Sequence, residues 1–102
     1  ILISFKTLFP EYSFEKKDGD FDHQYAVDYE MKKSSEIICG IQIKPTSYTF
    51  NTPYLKRAKS ANLRKNTEYS ERFGKPVFDI ISKSNGEIQN SEIIEQIKRL
   101  IK

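Results

Sequence analysis

Two apolar runs lie close together near the middle of the chain, Tyr25-Ala26-Val27-Asp28-Tyr29-Glu30-Met31 and Ile37 to Lys44, separated by the polar link Lys32-Lys33-Ser34-Ser35. Their branched and aromatic residues at alternate positions suit strands, and so short a link leaves an antiparallel hairpin as the simplest connection. Ile37, Ile38 and Cys39 are apolar on both faces, as expected of a central strand covered on both sides, and Pro45 ends the ladder because it has no N–H to donate. Upstream, the acidic stretch Asp18-Gly19-Asp20-Phe21-Asp22 is expected to be a solvated loop.

The elements around the hairpin follow from punctuation and period. Thr52 is a candidate N-cap and Pro53 sits at the first helical position, where its missing N–H costs nothing; Gly74 and Pro76 supply the stop. Between them Leu55, Ala58, Asn62, Asn66, Tyr69 and Phe73 recur at steps of three and four and form a narrow face able to pack on a sheet. Lys56, Arg57, Lys59, Arg64 and Lys65 crowd the rest of the first half. Val77 to Ile81 is expected as a buried strand, Asn85-Gly86 as a tight turn, and Ser91 as the cap of a last helix with an Ile93, Ile94, Ile97, Leu100 and Ile101 stripe. Tyr12 to Lys16 alternates like a further strand, and a short helix is expected over residues 3–9. The expected fold class is α/β, a small central mixed sheet flanked by helices.

At 102 residues the chain has room for a single domain, 1–102. With 13% aromatic content and many Ile it carries enough apolar mass for one modest core, so disorder is not expected. Seventeen Lys and Arg against fourteen Asp and Glu leave a net charge of +3, a mild bias toward anionic partners. One cysteine, Cys39, permits no internal disulfide, and with the single His23 it cannot complete a four-ligand zinc site. No apolar run is long enough to span a bilayer, and the opening Ile1 to Phe5 is too short for a signal peptide. A cytoplasmic protein that does not contact a membrane is expected. Because position 1 is not Met, the chain is expected to be a fragment or the C-terminal part of a longer protein.

Chemistry concentrates on the hairpin. Period-two geometry puts Asp28 and Glu30 on one face of the first strand, and Gln42 and Lys44 on one face of the second. Ionisable groups on a sheet face that is otherwise buried need a reason. A divalent cation supplies one: Mg²⁺ takes oxygen ligands and keeps several waters, so one carboxylate, one side-chain carbonyl, one backbone carbonyl and a phosphate oxygen make a suitable shell. The plain alternative is a half-exposed hairpin with a cross-strand ion pair worth under about 1 kcal/mol.

Asp28, thirteen intervening residues and then Gln42-Ile43-Lys44 resemble the signature of the PD-(D/E)xK nuclease superfamily, with the element order around them matching over about residues 11–82. Val27-Asp28-Tyr29-Glu30, Ile41 to Tyr48 and Phe73 to Phe78 are similar to type II restriction endonucleases, the MjaI kind in particular. The resemblance implies a restriction-endonuclease-like core and a restriction-type DNA endonuclease that hydrolyses phosphodiester bonds with a Mg²⁺-activated water, Mn²⁺ substituting. It implies Asp28, Gln42 and the main-chain carbonyl of Ile43 as metal ligands, Lys44 as the catalytic amine, and Lys56, Arg57, Lys59, Arg64 and Lys65 against the DNA backbone. Two positions depart from the pattern: Val27 stands where the family has Pro, and Gln42 replaces the second acid. The missing charge is expected to weaken metal binding or to be made up by Glu30 or Glu15. A homodimer, or a missing upstream region, would complete so small an enzyme. The alternatives are a Holliday-junction-resolvase-like nuclease and an inactive nuclease core that binds nucleic acid.

The remaining features have plainer readings. Cys39 is expected in the core and His23 in a surface loop. Asp18, Asp20 and Asp22 start like a calcium loop, but Gly19 is misplaced and Tyr29 stands where the closing acid belongs. Thr46, Ser47, Tyr48 and Asn51 lie just past the site.

Overall fold

The computed structural model describes residues 2–101. The elements are helix α1 (Leu2–Leu8), strand β1 (Ser13–Lys16), helix α2 (Gly19–Tyr25), strands β2 (Tyr29–Lys33) and β3 (Glu36–Pro45), helix α3 (Pro53–Phe73), strand β4 (Val77–Ser82) and helix α4 (Glu92–Leu100). The four strands form one sheet in the order β1-β2-β3-β4, antiparallel across the first two pairs and parallel between β3 and β4, with α3 as the crossover. The sheet is therefore mixed and the fold α/β, with helices on both faces.

The hairpin forms as its sequence predicts, closed by Ser34 and Ser35, both at positive φ (51° and 69°). A bulge between Met31 and Lys32 leaves Ile38 as the extra residue of β3. Alternation then sorts the sheet into two faces. One carries Met31, Cys39, Ile41 and Ile80 into the main core beneath Phe5 and Phe9 at the N-terminal end and Ile93, Ile94 and Ile97 of α4. Each of the Ile, Met and Phe side chains so removed from water contributes about 1.5–3 kcal/mol. The opposite face is covered by α2 and α3, where Tyr25, Val27 and Tyr69 form a smaller aromatic cluster with Phe21, Phe73 and Val77. Gly40 lies between them on β3; a Cβ there would meet Val27 Cγ2 at 3.0 Å and Val77 Cγ2 at 3.2 Å.

Four expectations need correction. The acidic stretch at 18–22 is not a loop: Asp18 caps α2 by accepting from the Phe21 N–H (2.8 Å). This places His23 on an exposed helix turn. The first hairpin strand begins at Tyr29, because Tyr25 ends α2 and Ala26 turns the chain at φ 55°. Ser91 precedes α4 in helical geometry and makes no side-chain cap bond. By contrast, Thr52 caps α3 through the Leu55 N–H (3.2 Å), and Gly74, at φ 68°, ends it. Apart from these corrections, the stretch after Pro45, for which no element is expected, contains a 3₁₀ turn at Thr46–Thr49. Among the described residues no helix is long and apolar enough to cross a membrane.

Candidate active site at the ends of the second and third strands

Asp28 stands at the residue before β2, where the chain arrives from α2 and first meets β3. Its N–H donates to the Ile41 carbonyl (2.8 Å), and its Oδ2 accepts from the Ile43 N–H (2.7 Å), so the residue straddles Gln42. The side chain takes a main-chain donor that has no β2 partner, because the β2–β3 register ends at Tyr29 and Ile41. On the other side of β3, Gln42 is in register with Asp79 of β4. Asp28, Gln42 and Asp79 thus form a row across three neighbouring segments, about 4.8 Å apart. Lys44 lies two residues further along the same face of β3.

The row is desolvated. Gln42 is only 2% exposed, and its Oε1 and the Oδ1 of Asp79 are both buried without a hydrogen-bond partner. Burial pushes the Asp79 carboxyl above its ordinary value; Asp28 adds to this and Lys44 opposes it. From α2, Asp22 comes close enough to Asp28 for the two carboxyls to feel each other's charge. Burial first, and then the charge of Asp28, raise the Asp22 carboxyl, while Lys44 and Lys65 pull it down. Lys44 lies over the Tyr48 ring (5.3 Å to the centroid), and Lys59 approaches the same ring at 5.6 Å. The Tyr48 hydroxyl accepts from Asn62 (3.0 Å), which ties the 3₁₀ turn to α3.

Glu30 shares the face of Asp28 but is otherwise engaged. It is 2% exposed; Oε2 accepts from the Tyr69 hydroxyl (2.7 Å) and Oε1 pairs with Lys17 (3.2 Å) and Lys32 (3.8 Å). Glu15, the other acid expected to offset Gln42, pairs with Lys17 (3.0 Å) and Lys32. The basic residues of α3 do not form one surface. Lys59 and Lys65 are half-buried on the side of the helix that faces the site, whereas Lys56, Arg57 and Arg64 are exposed.

The oxygens present suit a hard cation. Among the described residues no three His, Cys, Asp or Glu side chains gather as a metal site, but one carboxylate, one amide oxygen and one main-chain carbonyl need no such gathering. The unpartnered Gln42 Oε1 beside the Asp28 carboxylate is the kind of acceptor a divalent cation would satisfy. A groove of about 570 Å³ opens beside Lys44, lined also by Thr46, Ser47, Ser82 and Lys83. A second groove, of about 490 Å³, runs between α3 and β4 down to Asp79.

Sequence reasoning missed Asp22, Asp79 and Asn66. A signal was present for the two acids: Phe21 and Tyr25 are spaced i, i+4 as on a helix carrying Asp22, and Asp79 is the one acid inside the apolar run 77–81. Asn66 lies at 2.8 Å from the Tyr25 carbonyl and 3.2 Å from that of Ala26 when its amide nitrogen faces them, which pins the α2 terminus to α3. Comparison with family models, with curated proteins and with solved structures finds no match for this chain.

Proposed function

We propose that this chain is a restriction-endonuclease-like core that acts as a Mg²⁺-dependent DNA endonuclease of restriction type. The observation that carries the reading is the Asp28–Gln42–Lys44 constellation: a carboxylate fixed by the Ile43 N–H beside a buried amide oxygen with no partner, and an amine two residues further on. Asp28, Gln42 and the Ile43 carbonyl would hold Mg²⁺, or Mn²⁺ in its place. When bound, the cation lowers the pKa of a water and offsets charge at the phosphorus. Ile43 keeps the Asp28 carboxylate oriented through its N–H. Lys44, whose amine is not paired with a carboxylate within 4 Å in any described ion pair, orients the attacking water and stabilises the charge that grows on the phosphate oxygens. Lys59 and Lys65 draw the DNA backbone toward the strand ends, and Lys56, Arg57 and Arg64 add salt-dependent attraction that does not read bases.

Gln42 favours a second reading, an inactive core that binds nucleic acid, because a neutral ligand removes one charge from the cation site. Nicking of supercoiled plasmid at low salt, with Mg²⁺ or Mn²⁺ against EDTA, separates the two. The active enzyme cuts only with metal, and Lys44→Ala lowers the rate about 10²–10³-fold without unfolding the protein. Folded protein that binds DNA and never cuts it would establish the inactive core. A four-way junction run alongside tests for a junction-resolving nuclease, which would cut it in preference to the duplex.

A further inference from the structure

The proposed cation site is one negative charge short, and both acids that the sequence offered in compensation are committed elsewhere. Glu30 is held by Tyr69 and Lys17, and Glu15 by Lys17 and Lys32. Asp79 is differently placed. It is the register partner of Gln42 and shares its face, on the flank opposite Asp28. Within this row Gln42 Oε1 and Asp79 Oδ1 are both buried and both without a donor. Two adjacent acceptors cannot satisfy each other; a proton on Asp79, a water that donates to both, or a cation must serve them.

We propose that Asp79 is the second acid of the cation site, ligating the divalent ion together with Asp28 and Gln42 and supplying the charge that Gln42 lacks. This rests on the nuclease reading of the same residues. The backbone at Asp79 is held firmly in place. Asn90 donates from Nδ2 to the Asp79 carbonyl (2.8 Å) and accepts the Ile81 N–H at Oδ1 (2.8 Å), which closes the outer edge of β4 on both sides of Ile80. The groove between α3 and β4 reaches Asp79 from solvent and gives an ion a way in. The competing explanation is a protonated Asp79 that donates to Gln42 and has no role beyond structure. Asp79→Asn separates the two, because its amide can still donate to Gln42 Oε1 while it carries no charge for a cation.

The test is titration of Mn²⁺ alone into the wild-type chain, Asp79→Asn, and the double variant Gln42→Glu/Asp79→Asn, by calorimetry and by thermal shift, with circular dichroism to establish folding and plasmid nicking in parallel. Asp79→Asn should weaken Mn²⁺ binding about tenfold or more and abolish the Mn²⁺-induced rise in Tm. The double variant, which moves the charge one strand over, should recover much of both. If Asp79→Asn binds Mn²⁺ as tightly as the wild type while the wild type cuts with metal and Lys44→Ala does not, the assignment of Asp79 is wrong and the nuclease reading stands. If the wild type neither binds Mn²⁺ nor cuts, the nuclease reading fails and this inference fails with it.

Discussion

Tyr69 is the largest side chain removed entirely from water, and its hydroxyl donates to a carboxylate on the neighbouring sheet. Burial and the adjacent Glu30 push the hydroxyl well above the ordinary tyrosine value, which keeps it a donor at any physiological pH. Glu30 in turn needs Tyr69, because a buried carboxylate left short of hydrogen bonds carries its full desolvation penalty. Lys17 closes the group. Burial works against its charge, but Glu15 and Glu30 outweigh this and hold the amine above its usual value. Tyr69→Phe keeps the ring and leaves Glu30 one donor short, so it should cost about 1–3 kcal/mol in denaturant unfolding at neutral pH. A loss of only a few tenths of a kcal/mol would show that Lys17 and Lys32 suffice without it. The role of Glu30 was not legible from the chain. Period two put it on the face of Asp28, but nothing in the sequence announced that Tyr69, thirty-nine residues away, would point at it. Cys39 was legible: an apolar neighbourhood on both faces implied burial, and burial holds its thiol up at about 12.

Among the elements, those with strong local signals formed where their signals lay. Helix α3 starts at Thr52-Pro53 and ends at Gly74, and the hairpin spans its short link. Helix α2 was hidden because Gly19, Asp20 and Asp22 are poor helix formers; it is kept by the Asp18 cap and by Phe21 and Tyr25 packing on Tyr69 and Phe73. Tertiary contact there outweighs propensity, and with it Asp22 arrives at Asp28. The hairpin turn makes the expected connection with unfavourable residues. Ser34 and Ser35 both occupy positive φ, the geometry of a two-residue turn that Asn-Gly would adopt without strain. The left-handed conformation costs a non-glycine residue about 1–2 kcal/mol. Ser35→Gly removes that strain at 69° but adds unfolded-state entropy, so a net gain of about 0.5–1 kcal/mol in stability is expected from equilibrium denaturation. No gain, or a loss, would mean that the Ser35 side chain contributes something to the turn that glycine cannot.

At the scale of the whole molecule, the two faces of the sheet are built on different terms. The buried part of the α1 and α4 face is apolar, while the α2 and α3 face buries charges that are fully stable only when protons or cations accompany them. This difference fixes the pH dependence of the metal-free protein. The carboxyls of Asp79 and Asp22 are raised above their ordinary 3.8, in both cases chiefly by burial. In the window between 3.8 and the raised value, the native state holds a proton that the unfolded chain has released. Stability from these groups is therefore complete below 3.8 and is lost as the pH rises through the raised value. Glu15 runs the other way. Lys32 and Lys17 lower its carboxyl below 4.5, so its contribution is present above 4.5 and disappears as the pH falls through the lowered value. Replacing Asp79 with Asn removes one of the raised groups and leaves Glu15 untouched. In thermal unfolding with EDTA, the Tm of Asp79→Asn minus that of the wild type should be smallest near pH 3.8, grow as the pH rises and level off toward neutrality. A divalent cation should cancel the difference at neutral pH by stabilising the wild type alone, and should do little at acid pH, where protons compete for the same oxygens. A difference that is flat in pH would place the Asp79 proton outside the folding equilibrium, and with it the desolvation of that row of the sheet.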